Sequence, residues 1–168
     1  MDNLAFTKIP YGMFIITSSF NNKIGGQIAN TVFQVTSNPA TIAISISKQN
    51  YTHFLLENSK KAVISCLTED APFEFIGKFG FRSSRDFDKF SGVNFIKDEN
   101  NIPIATTFIN SYFEVDIISS LDINTHTLFL CKVNNSVVLN DNNTMTYDYY
   151  HKVKKGFTPK NAPTYISK

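Results

Sequence analysis

The residues best equipped for chemistry lie in SISKQNYTH, residues 45–53. Ser45, Ser47 and Lys48 end an alternating apolar run, and Asn50, Tyr51 and Thr52 follow at once as the start of a helix. A helix start offers free N–H groups and the positive end of a dipole, which suits an anion such as a phosphate. Ser47 and Thr52 add hydroxyl donors, and Lys48 adds charge. The same pattern also fits an ordinary helix capped by Asn50 with a solvated lysine, and the residues alone leave both readings open. A second candidate is FRSSRD, a polar loop holding both arginines of the chain, Arg82 and Arg85. Arginine forks grip phosphate oxygens in pairs, although a solvated loop fits these residues too.

The stretch GGQIANTVFQVTSNP (25–39) raises a different chemistry. It reads as a strand, yet its polar residues Gln27, Asn30, Thr31, Gln34, Thr36 and Ser37 carry no charge. A polar face of amides and hydroxyls suits a neutral, hydrogen-bonding ligand.

Other machinery is absent from the sequence. His53, His126 and His151 are far apart and lack metal-ligand spacing, so no metal site is expected. Gly77-Lys78 is followed by Phe79, where a phosphate-binding P-loop needs Ser or Thr. There is no GxSxG and no GxGxxG. Cys66 and Cys131 each sit inside an apolar run, with no CxxC between them, and read as buried free thiols.

The elements that must position these residues are mostly strands. GMFIITSSF (12–20), a turn at Asn21-Asn22-Lys23 and IGGQIANTVFQV (24–35) form a first pair. In TIAISISK (41–48), Ile42, Ile44 and Ile46 face one way and Ala43, Ser45 and Ser47 the other. A helix over 50–60 carries Tyr51, Phe54 and Leu55 on one face, and KAVISCLT (61–68) returns to strand. A second helix after Asp70 and Pro72 places Phe73, Ile76 and Phe79 together, with Gly80 as its stop. FINSYFEVDIIS, THTLFLCKV, SVVLN and TMTYDYY read as further strands. The pattern predicts a mainly β fold, a small antiparallel barrel decorated by short helices.

The chain has 168 residues, 42% of them hydrophobic and 18% charged, which fits one folded domain over residues 1–168. A formal charge of +2 is too small for a nucleic-acid binder. The aromatic and basic run TYDYYHKVKKG reads as a barrel strand and a solvated tail. MDNLAFTKIP lacks the pattern of a signal peptide, and no apolar run reaches the roughly 20 residues of a membrane span. A cytoplasmic protein without a membrane partner is expected.

The order PYGMFIITSSFNNKIGGQIANTVFQVTSNPATIAISISKQNYTHFLL resembles the flavin reductase-like, FMN-binding split-barrel family. The resemblance continues through FGFRSSRDFDKF, THTLFL and KGFTPKNAPTY, and so spans nearly the whole chain. Within that family it is most similar to the flavin reductase module fused to rubredoxin in some anaerobes and to flavoredoxin-type proteins.

The resemblance implies a split β-barrel, a homodimer with the flavin near the subunit interface, and FMN as cofactor. It implies that Gln27, Ile28, Ala29, Asn30 and Thr31 lie along the isoalloxazine ring, with Thr36 and Ser37 nearby. Ser45, Ser47, Lys48 and Thr52 match the region holding the ribityl phosphate, and the loop with Ser83, Ser84, Arg85 and Lys89 closes over the cofactor. His126 matches a histidine beside the nicotinamide and is the catalytic candidate. Relatives often read Gly-Asp-His there, and this chain reads Asn124-Thr125-His126. A lone histidine satisfied by a backbone partner is the alternative. The implied activity is an FMN-dependent oxidoreductase passing hydride or electrons from NAD(P)H, or from a redox protein such as a rubredoxin, to an acceptor. A flavoredoxin-type electron carrier and a flavin-storing module are its rivals.

Overall fold

The computed structural model of the chain describes residues 2–165. Strand β1 (Phe14–Phe20) and strand β2 (Lys23–Ala29) form a hairpin in register from Phe14↔Ala29 to Phe20↔Lys23. The two turn residues Asn21 and Asn22 have φ of 49° and 61°, the left-handed geometry that matches a two-residue hairpin to strand twist. Strands β3 (Val32–Ser37) and β4 (Ala40–Ser47) form the next antiparallel pair. Helix α1 (Tyr51–Ser59) leads to β5 (Lys61–Leu67), and helix α2 (Phe73–Gly80) follows. A small hairpin of β6 (Phe95–Lys97) and β7 (Pro103–Ala105) precedes the long strands β8 (Ile109–Ile123) and β9 (His126–Val138). Helix α3 (Tyr147–Lys152) is the last element.

The main sheet has the order β2-β1-β5-β8-β9-β4-β3. Its two edge strands, β2 and β3, are joined by only Asn30 and Thr31. The edges therefore meet at those residues, and the sheet closes into a barrel with a split there.

Two cores flank the barrel wall. Inside lie Ile16, Ile42, Ile44, Ile46, Ile64, Val115, Phe129 and Cys131. Outside, under α2 and the β6–β7 hairpin, lie Met13, Ile15, Val63, Phe75, Ile76, Phe79 and Ile104. Neighbours such as Ile15 and Ile16, or Val63 and Ile64, serve opposite cores. That is why β1 and β5 read as continuous apolar runs, while β4 alternates. Cys66 and Cys131 are buried free thiols.

Several elements depart from expectation. TMTYDYY contains helix α3 and no long strand: Thr146 caps it by accepting from the Tyr149 N–H at 3.1 Å, and Asp148 pairs with Lys152 one turn on at 2.9 Å. THTLFLCKV and the first three residues of SVVLN fall together in one strand, β9, apart from Thr125 before its start, and β9 shifts register against β8 at Glu114/Val115. The expected strand over 24–35 is two strands. Helix α1 buries Thr52, His53, Leu55 and Leu56, and Phe54 stays 44% exposed. In α2, Phe75 joins Ile76 and Phe79 in the core, and Phe73 stacks outside on Tyr150.

Candidate functional site

A cleft of about 410 Å³ opens where β2, the end of β4, the first turn of α1, the arginine loop and the C-terminal segment converge. That size suits a small organic ligand. Glycines make this convergence possible. A Cβ on Gly25 would sit 2.6 Å from Leu55 Cδ1 of α1, and one on Gly26 would sit 3.0 Å from Thr17 Cγ2. The Gly26 backbone is gripped from the other side: Ser84 Oγ accepts from its N–H at 3.1 Å, and Lys89 Nζ donates to its carbonyl at 2.6 Å. The arginine loop is thus seated on β2 by Ser84 and Lys89. Lys89 is buried, and desolvation pulls its amine down to about 7.

One part of the wall is neutral and amide-rich. Gln27 lines the cleft with its Oε1 buried and without any hydrogen-bond partner. A buried acceptor left unpaired is costly and calls for a donor from a ligand. Asn30 also lines the cleft; it accepts from the Thr31 hydroxyl at 3.2 Å and donates to Thr164 Oγ1 at 2.8 Å.

Another part suits an anion. Asn50 occupies the cap position of α1, yet its side chain makes no cap bond; it accepts from the Asn161 amide. This corrects the expected capping role and leaves the first-turn N–H groups of α1 without a side-chain acceptor. Ser47 and Thr52 are buried beside that turn, and Arg85 holds its guanidinium 5.6 Å from the Tyr51 ring centroid.

Of the residues singled out from the sequence, Gln27, Ile28, Ala29, Asn30, Ser45, Ser47, Thr52, Ser83, Ser84, Arg85 and Lys89 line this cleft. Thr31, Thr36, Ser37, Lys48 and His126 do not. Thr31 stands behind the wall and donates its hydroxyl to Asn30 Oδ1. Thr36 and Ser37 are exposed at the far end of β3, where Thr36 Oγ1 donates to the Pro39 carbonyl. Lys48 turns away to pair with Asp122.

His126 pairs in register with Ser47 at the start of β9. Its Nδ1 bonds Thr125 Oγ1 at 2.9 Å and its Nε2 is buried without a partner. Burial lowers its pKa, and the Asn161 backbone opposes that shift. His53, on the buried face of α1, is bonded to Thr127 Oγ1 at 2.7 Å and fastens that helix to β9. Burial lowers its pKa too, against the pull of Glu57.

Sequence reasoning missed much of the wall. Tyr147 and Tyr150 were hidden in a segment read as strand, and Phe81 belonged to a loop read for its charges. Phe157, Pro159, Asn161, Ala162 and Pro163 stand in KGFTPKNAPTY, a run that gave the resemblance but no role. Among the described residues no cluster of three or more His, Cys, Asp or Glu side chains could hold a metal, and no helix is long and apolar enough to cross a membrane.

The flavin reductase like domain matches residues 6–157, nearly the whole of the structure just described. The chain belongs to that family. It is 44% identical over 165 residues to a high molecular weight rubredoxin of Moorella thermoacetica, covering 98% of this chain and 72% of that protein. It is 43% identical over 166 residues to a ferric-chelate reductase (NAD(P)H) of Archaeoglobus fulgidus, covering 99% and 98%. Among solved structures, an FMN-binding protein of Thermus thermophilus superposes with a TM-score of 0.73 at 17% identity, covering 80% of this chain and 75% of that one. That likeness is one of fold. Membership of the flavin reductase family, the split-barrel fold and the class of flavin-dependent oxidoreductase expected from the sequence are borne out.

Proposed function

We propose that this chain holds FMN in the cleft and passes electrons from NAD(P)H to an external acceptor. The observation that carries the reading is Gln27 Oε1, a buried acceptor with nothing to accept, on a residue that lines the cleft. The polar edge of a flavin ring presents an imide N–H and carbonyls, a neutral match for Gln27 and the neighbouring β2 backbone. The first turn of α1, with Ser47, Thr52 and Arg85, supplies N–H, hydroxyl and guanidinium donors for a phosphate. A wall that is amide-rich in one part and anion-seeking in another fits a phosphorylated neutral ring, and the residues present fit FMN.

Bound there, a flavin supplies the redox chemistry, which explains why no protein nucleophile or metal cluster is needed. The work of the chain is to bind, orient and shield. Ser84 and Lys89 fix the arginine loop to Gly26, so Arg85 reaches the cleft from a seated loop. Thr31 fixes the Asn30 amide. FMN, as the particular flavin, is favoured by the phosphate-seeking wall and by the Thermus thermophilus fold neighbour, an FMN-binding protein. NAD(P)H as donor and a ferric chelate as acceptor are favoured by the name of the Archaeoglobus fulgidus relative.

Anaerobic rapid mixing tests the proposal. Flavin-loaded protein should bleach on mixing with NADH or NADPH and regain its yellow colour when ferric citrate is added. A loaded protein that neither nicotinamide bleaches contradicts the proposed donor.

A further inference from the structure

The C-terminal segment 157–164 is fastened to three different walls of the cleft. At one end the Phe157 ring stacks on Phe81 of the arginine loop, centroids 4.4 Å apart and planes 15° apart. In the middle Asn161 donates its amide to Asn50, at the cap of α1. At the other end Thr164 Oγ1 accepts from Asn30, at the barrel split, and donates to the Tyr147 hydroxyl at 3.3 Å. The start of the segment is set by α3: Gly156 N–H donates to the Tyr150 carbonyl at 3.0 Å, and the Tyr150 hydroxyl donates to the Phe157 carbonyl at 3.2 Å. Pro159 and Pro163 stiffen the run between these anchors. Five of its residues face the cleft.

We infer that this strap makes the flavin a resident group, reduced and reoxidised in place, and that the protein does not release reduced flavin as its product. The inference rests on the proposed FMN site. Asn161 is anchored at the cap of α1 and Thr164 at Asn30 beside the end of β2, so a ligand that touches both elements shares the cleft with the strap residues between those anchors. The strap hinders its departure while the Phe157 stack, the Asn161 bond and the Thr164 bond hold. None of the three anchors uses Gln27, Ser47 or Arg85, so the strap can hold while those groups hold the ligand. Electrons then leave by contact with an acceptor. NAD(P)H gives two electrons and a proton and becomes NAD(P)+. Two ferric chelates take one electron each, the proton goes to solvent, and the flavin ends as it began.

The test is the rate at which FMN leaves, followed by the rise of free-flavin fluorescence after dilution. Loss of one aromatic stack and one neutral hydrogen bond in Phe157→Ala/Asn161→Ala should speed release about ten- to thirtyfold, with an unchanged circular dichroism spectrum. Should the double variant fail to fold, Phe157→Ala alone, which removes a ring 57% exposed, should still release several-fold faster. A folded variant releasing FMN at the wild-type rate overturns the inference. So does a wild-type protein that loses its flavin within one turnover. A wild-type protein that takes up no FMN overturns the site itself, a separate result.

Discussion

Lys89 reaches from the arginine loop to the Gly26 carbonyl at 2.6 Å and also donates to the Phe79 carbonyl at 2.8 Å. One buried amine therefore ties that loop to β2 and to the last turn of α2. Its two acceptors need only two N–H donors, which a neutral amine still has.

That geometry has a consequence for stability. Burial lowers the Lys89 amine from 10.5 to about 7. Between those two values the native protein binds fewer protons at this site than the unfolded chain, so this site makes stability rise with pH. Below about 7 both states are protonated and the penalty for the buried charge is fully present. Urea unfolding at pH 7 and pH 8.5 should show a steeper gain for the wild type than for Lys89→Met. Equal gains in the two proteins would mean that Lys89 does not titrate in this range. The variant should also be less stable at pH 8.5 by about 1–3 kcal/mol, because the Phe79 carbonyl loses the Lys89 donor and the Gly26 carbonyl keeps only the longer bond from Ser84 Oγ at 3.3 Å.

The turn after α3 makes a second test. A Cβ on Gly156 would lie 2.1 Å from the Tyr150 ring, which is buried at 2% exposure. Gly156→Ala must push that ring aside or move the strap. A loss of about 1–3 kcal/mol is expected, seen as a lower Tm. An unchanged Tm would show that the turn yields freely.

Lys48 shows how far local pattern carries. Its place after a strand and before a helix start suggested a phosphate ligand, but Asp122, 74 residues later, claims its ammonium. Only the pairing of β4 with β9 and of β9 with β8 brings the two together. Arg85→Ala should therefore weaken FMN about ten- to a hundredfold while leaving riboflavin, which has no phosphate, almost unaffected. Lys48→Ala should change neither by more than about threefold, as expected of an exposed ion pair. Calorimetric titration of both variants checks this. The reverse pattern would return the phosphate to Lys48.

The sequence showed the strands whose burial is local and the chemistry of Ser47, Thr52, Arg85 and Gln27. β4 alternates because one face is core, and that period is visible in any short window. The break between β2 and β3 is not, since it follows from closure of a seven-stranded sheet and the lone Asn30 comes without a Gly, a Pro or a second turn-forming residue beside it. The aromatic run of α3 carried a strand preference that its Thr146 cap and the Asp148–Lys152 pair overrode. The C-terminal wall was illegible because its anchors, Phe81, Asn50 and Asn30, lie far back in the chain.

Association offers a further test. Leu121 pairs with Leu128, which pairs with Ser45, and Ile123 pairs with His126, which pairs with Ser47. Leu121 is 60% exposed and Ile123 49%, on the sheet face that carries the two cleft serines. Apolar side chains so placed suit a second copy of the chain, seated beside the cleft. Light scattering should give a dimer, and Leu121→Asp/Ile123→Asp should give a folded monomer. A wild-type monomer at micromolar concentration would contradict the proposal.

The most direct measurement is calorimetric titration of flavin-free protein with FMN, FAD and riboflavin. Filling of the cleft by a phosphorylated flavin ring predicts one FMN per chain, bound more tightly than riboflavin or FAD, and Gln27→Leu should weaken FMN and riboflavin alike. Absence of flavin binding, or equal affinity for FMN and riboflavin together with an indifferent Gln27→Leu variant, would contradict it.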